Sequence, residues 1–559
     1  MILLSPIIPF LSLARLAAGT LSDSFTESLT LHPLPDGKLS VLFEFTTHFS
    51  ARSTLGSIAQ SHHTLTPPSL LLPLEQNDVS DLTISFVAGQ WDQRRSGEAG
   101  PLHYEAGGGG GEVRGWLRSG SDREDPSDRW TRVTHALGGL FCAGLGPNEH
   151  GESVNTFGEI YPPLRGDASN LTHHLLPHPN LLLCTENLTP FLSLLPSKGR
   201  SGLSVLLAQP HTVFSWGFKT EGIEVIMPTE ASPGRWRGWW EGVVDLVPEK
   251  GGGSRAFSIS RLFNQNLPQP FPESTQSVLR LIMPDAEGLR TDRQPSITGS
   301  TWIDGKQRQV AEWDLKNPDT VKQDIQFWWD GEERFEYPRS FTPPPVTVSR
   351  TVTAPHAGDG VFTIRIQNTG NDTRSAVYSE IWPWWVKGWL HQITVSQIGL
   401  GEAPHLLEDI FYKPSSPPTV STTTLHLSLQ VPPRSSLVIK IPFTKLMLKY
   451  TEHRPDAERG AEIPSGTLTL LDLEGEGGAV EGVDSEGQYS PRRSGRSRIY
   501  TNRLLLDVPT PDFSMPYNVI IMSSTVMAIF FGLMQGSLTR RWGFVEVPLE
   551  GVLDDIKTK

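Results

Sequence analysis

Between Val519 and Leu538 the chain carries no charged residue, and its only polar residues there are Ser523, Ser524, Thr525, Gln535 and Ser537. A helix rising 1.5 Å per residue needs about 20 such residues to cross a hydrocarbon core of about 30 Å. The run is therefore read as one transmembrane helix, residues 519–538. Pro509, Pro511 and Pro516 precede it, and proline favours an extended approach over a continuous helix. Arg540 and Arg541 follow it, whereas Asp507 and Asp512 lie on the other side. Positive charge is retained on the cytoplasmic side, so the expected topology is type I, with a cytoplasmic tail at 539–559.

The N-terminus fits that topology. MILLSPIIPFLSLARLAAGT holds an apolar stretch too short to span, ending in the small residues Ala17, Ala18 and Gly19. It is read as a cleaved signal peptide, residues 1–19. About 490 residues then remain on the exported side, enough for two or three domains with their own cores. A net charge of −13 leaves no basic footprint, which argues against nucleic acid as a partner.

Those exported residues read as mainly β, of the sandwich type, with a few helices. LHPLPDGKLSVLFEFTT places a turn at Pro35-Asp36-Gly37 before an apolar run rich in strand formers. VFTIRIQNTG puts Phe362, Ile364 and Ile366 on one face. LHLSLQV does the same with Leu425, Leu427, Leu429 and Val431, and SLVIKIPF with Leu437, Ile439, Ile441 and Phe443. Period two with one apolar face is what an antiparallel sheet over a core requires. One helix stands out after Pro126, where Trp130, Val133, Leu137, Leu140 and Phe141 recur at helical spacing and Cys142 falls off the stripe.

The proline-rich joint FTPPPV (341–346) divides an N-terminal domain, 20–340, from a second β domain, 341–508, which meets a juxtamembrane segment at 509–518. AGGGGGE (106–112), EKGGGS (249–254) and the insertion at 473–498 are read as flexible surface loops, being too poor in apolar side chains to bury much surface.

Motifs for catalysis do not emerge. G-x-S-x-G, H-E-x-x-H and C-x-x-C are all absent. The glycine run Gly107–Gly111 lacks the Gly-Lys-Ser/Thr that would close a phosphate loop. His62-His63 and His173-His174 are read as exposed polar residues rather than metal ligands, and no cofactor is implied. A glycosidase carboxylate pair has no sequence spacing to recognise, so a membrane-anchored β-sandwich glycosidase or carbohydrate-binding protein stands as the alternative reading. A cell-surface adhesion receptor is a third.

Asn170-Leu-Thr and Asn371-Asp-Thr are acceptor sequons suited to the exported side, while Asn187-Leu-Thr is disfavoured by the following Pro190. IWPWWVKGWL (381–390) carries Trp382, Trp384, Trp385 and Trp389, a cluster that suits either an interface or a sandwich core. The chain has two cysteines, Cys142 and Cys184. One internal bridge, two free thiols and a bond to another chain all remain open.

Five segments together resemble a known family: LTLHPLPDGKLSVLFEF (29–45), LGGLFCAGL (137–145), CTENLTPFLSLLPSKGRSGLSVLL (184–207), PHLLEDI (404–410) and PTPDFSMPYNVI (509–520). They are similar to the PIG-T family, subunits of the glycosylphosphatidylinositol (GPI) transamidase of the endoplasmic reticulum membrane. The resemblance implies a non-catalytic scaffold. It braces a cysteine-protease-like catalytic subunit within a complex of membrane subunits, whose substrates are the GPI lipid and a precursor protein. It further implies that Cys184 forms a disulfide with the catalytic subunit, that Cys142 is a free and buried thiol, and that Asn170 carries a glycan. The tail ends DDIKTK, without a complete dilysine signal. Residence in the endoplasmic reticulum would follow from assembly with partners.

Overall fold

The computed structural model describes residues 23–545 apart from segments 50–64, 91–106, 147–159 and 472–496 and several shorter loops. The signal segment, His62-His63 and nearly all of the 473–498 insertion lie outside the described residues. Residues 1–446 with 460–507 form one compact unit, and 447–459 with 508–559 a second.

In the first unit, ten strands build one sheet: β1 (Ser24–Pro33), β2 (Lys38–Phe49), β3 (Val79–Ala88), β4 (Gly110–Arg118), β5 (Leu171–His178), β6 (Phe218–Ile226), β7 (Gly234–Asp245), β8 (Gln276–Ile282), β9 (Ile297–Ile303) and β10 (Lys306–Asp314). Their order across the sheet is β9-β10-β8-β1-β2-β7-β6-β3-β4-β5. All neighbours are antiparallel except β1 and β8, which run parallel with Leu29 opposite Leu279.

The alternation of each strand separates two chemistries. Phe43, Phe45, Ile84, Ile223 and Trp240 enter one apolar core with Leu70, Trp130 and Phe191 from the helices α1 (Pro68–Gln76), α2 (Pro126–Phe141) and α3 (Thr185–Leu194) respectively. The opposite face is also buried, but polar. There Ser40 donates to Glu241 at 2.7 Å, Arg237 pairs with Glu44, Arg235 with Glu224, and Arg280 with Glu312 at 2.8 Å. Buried charges persist only when paired in this way.

The helix read from sequence begins at Pro126, where the ring suits the first helical position, and Asp125 caps it by accepting from the Ser127 N–H at 2.9 Å. Trp130, Val133, Leu137 and Phe141 are buried against the sheet as the spacing requires.

The glycine run departs from expectation. Its described part is structured: Gly110 and Gly111 open β4, while Gly107 donates its N–H to Ser85 Oγ at 3.1 Å. A side chain at Gly108 would stand 2.6 Å from Ser465, and Gly110 adopts φ +100° with the His178 carbonyl 2.6 Å from where a Cβ would lie. The glycines are thus explained by close backbone approach rather than by flexibility.

Beyond residue 344 two smaller sheets face each other. The first orders β11 (Val346–Thr353), β12 (Asp359–Asn368), β17 (Ser435–Lys445) and β14 (Thr394–Gln397), ending at Gly401–Glu402. The second orders β15 (Leu407–Lys413), β16 (Thr423–Val431), β13 (Arg374–Trp382), β18 (Thr467–Leu470) and β19 (Ser497–Tyr500). Phe362, Ile364 and Ile366 fill the space between them with Leu425, Leu427, Leu437, Ile439 and Phe443, as their alternation predicts. β19 meets the large sheet, where the guanidinium groups of Arg498 and Arg114 lie 4.9 Å and 5.5 Å from the Tyr161 ring.

In the second unit, helix α4 (Ser514–Thr539) contains the apolar run, and Tyr517–Thr539 is long and apolar enough to cross a membrane. None of its most apolar window is buried against protein. A core helix of a soluble domain would be covered.

Candidate functional site

The two thiols sit at neighbouring helix ends. At the C-terminus of α2, Cys142 takes the left-handed cap conformation, φ 52° and ψ 36°, with its N–H returning to the Gly138 carbonyl. That geometry turns the side chain off the apolar stripe, and the thiol is exposed. The expected burial of Cys142 is therefore corrected: the cap sets its direction, not the helical spacing.

Cys184 is the N-cap of α3, extended at φ −135° and ψ 173°, and it too is exposed. Leu183 before it and Leu188, Phe191 and Leu194 after it are buried, with Phe191 edge-on to Phe45 at 6.2 Å. Thr185 and Glu186 face solvent, and the carboxylate of Glu186 complements the positive end of the helix. Core anchors on both sides thus hold an accessible sulfur on a rigid element. The two cysteines do not pair with each other.

Between them stands Asn187, only 4% exposed. Its Oδ1 accepts the Cys184 backbone N–H at 3.0 Å and the Cys184 thiol at 3.3 Å, while its Nδ2 donates to the Phe141 carbonyl at 3.2 Å. The sequence signal for this was present in CTEN, where the third residue of a helix reaches back to the cap. A cysteine in place of the usual serine or threonine obscured it.

The other candidate positions are scattered. His173 and His174 lie on β5 and are buried, a correction to their reading as exposed. His173 stacks on Tyr161 at 5.3 Å and meets Trp116 at a tilt, 4.9 Å between centroids, and His174 stacks on Trp130 at 5.5 Å. Burial holds both imidazoles below their usual range, His174 at about 4. Among the described residues, no group of three or more His, Cys, Asp or Glu side chains is placed to hold a metal ion. Asn170 is exposed at φ 61°, beside the start of β5. Asn371 is exposed in the loop that crosses from β12 in one sheet to β13 in the other, and accepts from Arg434 Nε at 2.9 Å.

Of the tryptophan cluster, Trp382 and Trp385 are buried. Trp382 stacks on Phe362 at 5.3 Å, and its indole donates to Glu380 at 3.2 Å. Trp389 is half-buried and donates to Thr444 at 2.8 Å. These residues join the two sheets rather than offer a surface.

The sequence profile of the Gpi16 subunit, a GPI transamidase component, matches residues 9–255 and 247–555. The chain belongs to the Gpi16 family. It is 28% identical to the human GPI-anchor transamidase component PIGT, covering 95% of this chain and 92% of that protein. It is 27% identical to the GPI transamidase component GPI16 of Saccharomyces cerevisiae, covering 93% and 89%. A solved exo-β-N-acetylglucosaminidase from Vibrio harveyi reaches a TM-score of only 0.15 at 9% identity, over 30% of this chain and 19% of that one. So slight a likeness lends nothing to the glycosidase reading.

Proposed function

We propose that this Gpi16-family chain is a non-catalytic scaffold subunit of a GPI transamidase, which clamps the catalytic subunit while GPI is joined to precursor proteins. The family match from residue 9 to residue 555 carries the reading. The tether is a disulfide from Cys184 to the cysteine-protease-like catalytic subunit. Its support is an exposed thiol presented by a capped, core-anchored helix end. A bond between chains converts dissociation into an intramolecular event and raises effective concentration without new contacts.

The topology follows the charges. Arg540 and Arg541 beyond α4 lie on the cytoplasmic side, and the folded body stands in the lumen of the endoplasmic reticulum. Residues 1–19 act as its signal, and residues 20–340 and 341–508 are its two lumenal domains. Asn170 and Asn371, both exposed, carry glycans there. Other membrane subunits complete the complex, and GPI and the precursor are substrates of the whole.

The test is a gel with and without reductant. Microsomes holding tagged wild type, Cys142→Ser or Cys184→Ser are solubilised after free thiols are blocked. The expected result is a large species that reductant collapses and that Cys184→Ser alone abolishes. Serine is a good N-cap, so α3 stays intact in that variant. Monomers in all three lanes would reject the tether.

A further inference from the structure

We infer that Asn187 is a positioning residue: it fixes the Cys184 thiol and locks it to the helix end that bears Cys142, and so is not a glycan acceptor. The inference rests on the tether reading only for what the thiol is finally used for.

The amide has one orientation that satisfies its surroundings. Oδ1 faces the donors Cys184 N–H and Cys184 S–H, and Nδ2 faces an acceptor, the Phe141 carbonyl. A flipped amide would set Nδ2 against an N–H and Oδ1 against a C=O. All three bonds are made by a side chain 4% exposed. Truncation would therefore leave the Cys184 N–H and the Phe141 carbonyl without this partner.

The bonds also join two elements. Phe141 is the last residue of α2 and immediately precedes Cys142, while Cys184 caps α3. One side chain thus sets the spacing between the two thiol-bearing termini. For Cys184 it selects the direction of the S–H. The amide oxygen facing the sulfur is an acceptor for its S–H.

The same geometry excludes the sequon Asn187-Leu-Thr. A glycan is attached through Nδ2, which here is buried and donates to Phe141. Structure and sequence agree on this point, since Pro190 follows the threonine.

The experiment uses the full-length chain in microsomes, mildly reduced, in a Cys142→Ser background so that Cys184 is the one cysteine left. A polyethylene-glycol maleimide reports labelling by gel shift from pH 6 to pH 9. Asn187→Asp keeps an acceptor for the Cys184 N–H but gives up the bond to the Phe141 carbonyl and sets a carboxylate against the sulfur; it is expected to label about tenfold more slowly at pH 7.5, its rate–pH profile displaced upward. Asn187→Ala, which frees the sulfur, is expected to label faster than wild type. Thr189→Ala, which removes the sequon but not the amide, should match wild type, and glycosidase treatment should remove nothing from position 187.

Opposite shifts in the Asp and Ala variants support positioning. Shifts in the same direction with an unmoved profile would reduce Asn187 to packing and overturn it, as would a glycan on Asn187 or a Thr189→Ala variant that copies Asn187→Ala. The labelling needs no partner chain. Expected rates beside a negative gel would reject the tether and leave the positioning role intact.

Discussion

Arg350 and Glu380 form a 2.5 Å ion pair across the interior of the second β region, with both side chains completely buried. The Arg350 guanidinium also donates to the carbonyls of Pro464 and Asn502, each at 2.7 Å. Glu380 further accepts from Tyr378 and from the Trp382 indole. One charge pair therefore ties β11 to β13 and to the segments on either side of the insertion at 473–498. Removing one partner strands the other charge in a dry core, at about 3–5 kcal/mol. Arg350→Met and Glu380→Leu should each sharply lower the unfolding temperature of the detergent-solubilised chain, and the double variant should recover part of the loss. Single variants as stable as wild type would show that the pair contributes little.

Glu27 sits beneath the turn that follows α3, accepting from the Leu203 N–H at 2.9 Å and from Ser277 at 2.8 Å. Burial raises its pKa from 4.5 to about 7, and the hydrogen bonds only partly oppose this. The folded state holds this proton more tightly than the unfolded chain, so the contribution is full below about pH 4.5 and is lost as pH rises through 7. Glu27→Gln is expected to flatten that slope. Thermal unfolding at pH 5, 6, 7 and 8 would show it, and equal slopes in the two proteins would refute it.

The buried histidines act in the opposite sense. Desolvation lowers His32 to about 3 and His426 to about 4, as it does His174. Their neutral forms support the fold above the unfolded value near 6.5, and that support is lost as pH falls toward 4. His174→Phe, which keeps the stack on Trp130, should soften the acid limb of the stability curve. An unchanged acid limb would place the acid sensitivity elsewhere.

Helix α4 permits a direct test of spanning. An arginine near its middle costs about 2.5–3.5 kcal/mol on insertion scales. Gly532→Arg and Leu533→Arg should both release the chain into the alkaline-extractable fraction, whereas Ser514→Arg, at the helix start, should not. Retention of all three in the membrane would refute spanning by this helix.

How much of this was legible in the chain varies by element. Residues 359–368, 423–431 and 435–445 alternate so plainly because one face meets the core and the other meets water or polar neighbours. The strands of the large sheet are harder. β6 and β7 carry Glu221, Glu224, Arg235, Arg237 and Glu241 within their length, and these charges are buried in pairs or in the core rather than marking loops. The glycine run misled because low complexity resembles disorder, whereas Ser465 and Tyr500 lie against Gly108 across about 360 and 390 residues of sequence. Cys184 entered through a resemblance. The proximity of Asn187 to both thiol-bearing ends needed the packed helices, since position 141 and position 187 share no local pattern.

The parallel pairing of β1 with β8 carries a cost in time. β1 is the first strand among the described residues, and its partner Gln276–Ile282 lies some 250 residues later. At synthesis rates of about 5–20 residues per second, that edge waits about 12–50 s before it is covered. The backbone groups of Glu27, Leu29 and Leu31, which alternate away from β2, stay unpaired through that interval. A newborn chain must therefore be shielded along one specific strand, and a nascent-chain chaperone would be needed before residue 276 emerges and not after.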